Sequence, residues 1–123
     1  MSARVVVADA LAAALPDARV LPYAKGLDNL PVGQPVVMVF RASVVPSIVQ
    51  GTRTDEIAVW VVVPNADPAK TDDLLDDLLD DVLAVLEMKP GLPSLAWSEA
   101  TRDVLFDTWP AYRVTATILT AKE

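Results

Sequence analysis

Leu74-Leu75-Asp76-Asp77-Leu78-Leu79-Asp80-Asp81-Val82-Leu83 alternates two apolar residues with two acidic ones. At about 100° per residue, Leu74, Leu75, Leu78, Leu79, Val82, Leu83, Val85 and Leu86 fall within one half of a helix. Asp73, Asp76, Asp77, Asp80 and Asp81 fall in the other half. The spacing predicts an amphipathic helix from Thr71 to about Glu87. Thr71 suits the cap, and Asp72 and Asp73 sit in the first turn, where the helix dipole favours negative charge. Pro90-Gly91 lies beyond its end.

The acidic half of this helix opposes its own formation. Asp72, Asp76 and Asp80, with Asp73, Asp77 and Asp81, place like charges four residues apart, each pair costing about 0.2–0.5 kcal/mol. Burial of each aliphatic side chain contributes about 1.5–3 kcal/mol, which outweighs that repulsion. Tertiary packing of the leucine face therefore holds the helix, and the acidic face is left for solvent or for a partner. Two readings stay open there: a solvated face that keeps the chain soluble, or a surface that meets a partner or repels DNA. A calcium loop needs a glycine turn and alternating ligands, which this run lacks.

Strands flank this helix on both sides. Residues 36–45 read as one, with Val36, Met38, Phe40, Ala42 and Val44 forming an apolar face and Arg41 and Ser43 opposite. Residues 53–63 read as the next, with Ile57, Val59, Val61 and Val63 on one side and Thr54, Glu56 and Trp60 on the other. Pro46 to Thr52 turns a long hairpin between them. After the helix, residues 94–100 and 111–121 read as two further strands joined by a polar link. Residues 2–15 read as a first helix, ended by Pro16, and a short strand is expected from Ala18 to Leu21. A Pro/Gly connector at 22–35 follows, long enough to be either functional or mobile. The expected architecture is one α+β domain over 1–123: a mostly antiparallel four- to five-stranded sheet with two helices packed against one face.

The residue inventory limits the chemistry. The 123 residues contain no Cys and no His, so disulfides, thiolate nucleophiles, Cys/His zinc sites and His-based triads cannot be built. The four glycines form no phosphate-cradling loop. No catalytic residue, cofactor or metal is expected. Net charge is −7, and residues 71–88 hold seven of the 17 acidic residues and no basic one. Nucleic-acid binding by clustered cations is thus not expected. The apolar start is interrupted by Asp9 and lacks a signal-peptide layout, and no apolar run approaches the length of a membrane span.

Val44-Val45-Pro46-Ser47-Ile48-Val49 keeps apolar residues up to the hairpin tip, where an isolated domain should turn polar. Either the tip folds back on its own sheet, or it meets another subunit, since exposed apolar patches mark interfaces. Under the second reading the contact comprises Val45, Ile48, Val49, Arg53 and Asp55, with Asp73, Asp76, Asp77, Asp80 and Asp81 as a separate acidic surface. Trp60, Trp97 and Trp109 are expected in core or rim packing.

In this order of elements the chain resembles the tail terminator and tail-completion proteins of long-tailed bacteriophages, those of actinobacteria in particular. The likeness runs over the N-terminal helix, the Pro/Gly connector, the strand Arg53-Thr54-Asp55-Glu56-Ile57-Ala58-Val59-Trp60-Val61, the acidic helix, Leu95-Ala96-Trp97 and Tyr112-Arg113-Val114-Thr115-Ala116-Thr117. It is a likeness of size, order and texture, and it carries over no catalytic residue. It implies a homo-oligomeric ring, a hexamer, on the head-proximal end of the tail tube. The implied partners are the chain itself, the tail tube protein and the head–tail connector protein, with DNA passing through unbound. The implied location is the virion, after assembly in the host cytoplasm. A small protein-binding or regulatory module, or another head–tail connector component, is the alternative.

Overall fold

A computed structural model describes residues 3–16, 18–21, 35–46, 51–63, 68–88, 94–105 and 109–121. The element order is α1 (Ala3–Ala14), β1 (Arg19–Leu21), β2 (Val36–Pro46), β3 (Thr52–Val62), α2 (Pro68–Glu87), β4 (Ala96–Leu105) and β5 (Trp109–Ala121). The strands form one sheet in the order β1-β2-β3-β5-β4. The fold is α+β, but the sheet is mixed: β1 runs parallel to β2, while the β2–β3, β3–β5 and β4–β5 pairs are antiparallel. The parallel pair is possible because a long segment separates β1 from β2, as a parallel crossover requires. Arg19 N–H donates to the Pro35 carbonyl at 2.8 Å where that pair begins.

Both helices contribute to the main core. Val7 and Leu11 of α1 and Leu75, Leu78, Val82 and Leu86 of α2 are buried with Val37, Val39, Ile57, Val59, Val61, Val114, Ala116 and Ile118. Cross-strand pairs such as Val37 with Val61 and Val59 with Val114 put these strand residues on one face of the sheet. The expected inward set of β3 agrees with this, whereas that of β2 does not. Val37 and Val39 enter the helix-side core, and Val36 and Met38 join Leu21, Val62 and Ala111 in a second buried cluster on the opposite face. The first part of β2 is thus covered on both sides, which a continuous apolar run permits and simple alternation does not reveal.

Two bulges reset the alternation. The β2–β3 register shifts between Arg41 and Ser43, so Arg41, opposite Ile57, and Val44, opposite Asp55, share the helix-side face. The β4–β5 register shifts between Trp97 and Glu99, where the Ser98 hydroxyl donates to the Thr115 carbonyl at 3.3 Å. Strand β4 also continues to Leu105, so residues 101–105 of the expected polar link belong to the sheet. Their charges are compensated there: Arg113 lies 3.6 Å from Asp103, and Arg102 lies 2.7 Å from Asp72.

Helix α2 begins at Pro68, one turn before the expected start. Proline is tolerated there because a first-turn N–H has no partner within the helix. Leu74, expected on the buried face, is instead 40% exposed. It lies at the edge of the apolar stripe.

Candidate functional site

Beyond Phe40, both faces of β2 lose their cover. Residues 41–46 are all exposed, while β3 and β5 continue alongside them as far as the Thr52–Ala121 pair. The result is a three-stranded arm. On its helix-side face Val44 stands opposite Asp55, and Asp55 opposite Ile118. On its other face Val45, Thr54 and Leu119 form one cross-strand row. Val44, Val45 and Leu119 are exposed large apolar side chains. Ser94 braces the edge of β5 at this row: its hydroxyl oxygen accepts the Leu119 N–H at 3.1 Å.

The expected contact residues separate into four groups. Val45 is exposed, as a contact residue must be. Ile48 and Val49 lie outside the described residues. Asp55 is the correction: it is only 5% exposed and serves the arm internally, with Arg41 Nη1 at 3.9 Å from its Oδ2. A buried carboxylate requires such a compensating partner. Arg53 is half-buried, and its Nε finds no hydrogen-bond partner among the described residues.

The acidic surface is real in outline and partly committed. Asp73, Asp76, Asp77, Asp80 and Asp81 are all exposed. Two carboxylates at its sheet-facing margin tie α2 to the strands. Asp72 Oδ1 accepts from Arg102 Nη2 at 2.7 Å, and Asp76 Oδ1 accepts from the Tyr112 hydroxyl at 2.9 Å. The Arg102 guanidinium also lies over the Tyr112 ring, 5.5 Å from its centroid. The hydrogen bond to Asp72 holds the Arg102 pKa above its ordinary value against the opposing effect of desolvation. Only pairing across elements distinguishes these two aspartates from their neighbours, so no local sequence signal could have separated them.

On the face away from the helices, Ala42, Glu56, Ala58, Ser98, Glu99 and Arg113 line a shallow open depression. Glu56 accepts from the Ser43 hydroxyl at 2.9 Å and Glu99 from the Thr101 hydroxyl at 2.8 Å. Contacts of this kind between neighbouring strand residues stabilise a sheet surface. Arg113 extends over the Trp60 ring, 5.9 Å from its centroid. Trp97 packs on the main core while its Nε1–H donates to Glu87 Oε1 at 3.3 Å. The side chain of Trp109 lies outside the described residues. Among the described residues no group of three or more Asp and Glu is placed to hold a metal ion. No described helix is long and apolar enough to cross a membrane.

No family model matches the chain, and no curated protein matches it.

Proposed function

We propose that this protein is an assembly subunit of a long-tailed bacteriophage: a tail terminator that forms a ring on the head-proximal end of the tail tube. One observation supports assembly above all. The arm formed by β2, β3 and β5 presents Val44, Val45 and Leu119 to solvent, where an isolated domain gains nothing from apolar side chains. The narrower reading, of a phage tail, rests on the resemblance in element order and texture. In that role the ring stops tube polymerisation and offers a surface to the head connector. DNA passes through its centre without being gripped, in keeping with a net charge of −7. The chain works through its surfaces and not through a reaction.

The test is to add the protein to polymerising tail tube subunits and measure tube length by electron microscopy. Capped tubes of limited length are expected. Tubes that grow as they do without the protein would remove the tail reading. The same apolar arm would also suit a small protein-binding or regulatory module, which would leave tube growth untouched.

A further inference from the structure

The helix-side face of the arm and the outer face of α2 are complementary strips. On the helix-side face of the arm, Val44 lies between Arg41, whose side chain is 52% exposed, and Arg53. On α2, the carboxylates of Asp77 and Asp81 have no partner among the described residues. At helical spacing they share their stripe with Leu74 and with Met88, which is 79% exposed. One strip is apolar with cations, the other apolar with anions. Their lengths also correspond. Residues 41–46 span about 17 Å as a strand, and Leu74 to Met88 spans about 21 Å at the helical rise.

We infer that the arm of one copy lies with its helix-side face along the outer face of α2 of a second copy, Val44 against Leu74 and Met88, and Arg41 toward Asp77 and Asp81. The inference rests on the assembly reading above and supplies its contact. The opposite arrangement, arm on arm, would bring the arginines of two copies together. The contact joins unlike patches: β2 lies toward one side of the sheet, while α2 packs on β3, β5 and β4 toward the other. Each copy then gives its arm to one neighbour and receives an arm from another. Such a heterologous contact closes into a ring when its rotation allows. It also gives a role to the acidic residues that the fold itself does not use.

A charge exchange tests the contact. Val44→Asp sets a carboxylate against the acidic strip, and the pair Asp77→Lys with Asp81→Lys reverses that strip. All three positions are exposed, and circular dichroism verifies that each variant is folded. In sedimentation velocity, each change alone should weaken self-association at least about tenfold, because like charges are brought together. Combining all three substitutions should restore association to within about threefold of the wild type, because the opposed charges then match. Variants that assemble as the wild type does, or a combination that rescues nothing, would overturn this contact. If the wild type still forms a multimer in that case, the assembly reading stands. A wild type that never self-associates would overturn both.

Discussion

Tyr112 donates its hydroxyl to Asp76 Oδ1 at 2.9 Å, fastening the middle of the acidic helix to the last strand of the sheet. Four neighbouring aspartates, at 73, 77, 80 and 81, make no such contact among the described residues. Tyr112→Phe should therefore cost about 0.5–1.5 kcal/mol, the net worth of one hydrogen bond. Asp76→Ala should lose a similar amount, and a double-mutant cycle by urea titration should show the two coupled. Additive losses would mean that the hydroxyl and the carboxylate act separately.

The faces of α2 make a sharper contrast. Leu75 is fully buried, so Leu75→Ala should cost about 2–5 kcal/mol, as other core truncations do. Asp77→Ala should be neutral or slightly stabilising, because it removes like-charge repulsion at spacing four. Equal effects in the two variants would contradict the assignment of buried and exposed faces.

Gly51 opens the return strand of the arm with φ of +84°, and no described residue lies within 4 Å of where a side chain would start. Gly51→Ala should cost about 1–3 kcal/mol through backbone strain. An unchanged denaturation midpoint would show that the turn adopts another conformation.

Much of this fold is legible in the sequence. The Leu/Asp alternation of 74–83 gives α2, and the valines at odd positions of 57–63 give the inward face of β3. Where the reading failed, the cause was non-local. Val36 and Met38 are buried on the face away from the helices, which a face-by-face count of β2 cannot anticipate. The polarity of Arg102 and Asp103 suggests a loop, yet both lie in β4 because Asp72 and Arg113 meet their charges there. Asp55 resembles a surface residue by type and is buried because Arg41 lies across the strand pair. The acidic surface was visible as a stripe, but its division into fastened and unfastened carboxylates depends on which residues of β4 and β5 lie beside it.

Divalent metal plays no part in this account of the aspartates. A chelator should leave the melting temperature unchanged, and a drop of several degrees would assign the acidic face of α2 a structural ion.

Self-assembly is the property on which the proposed function depends. Sedimentation velocity of the wild-type protein over a concentration series tests it most directly, alone and with tail tube protein added. The account predicts a closed multimer of one defined size that persists on dilution until it dissociates to monomer. A chain that remains monomeric or dimeric under every condition would contradict it.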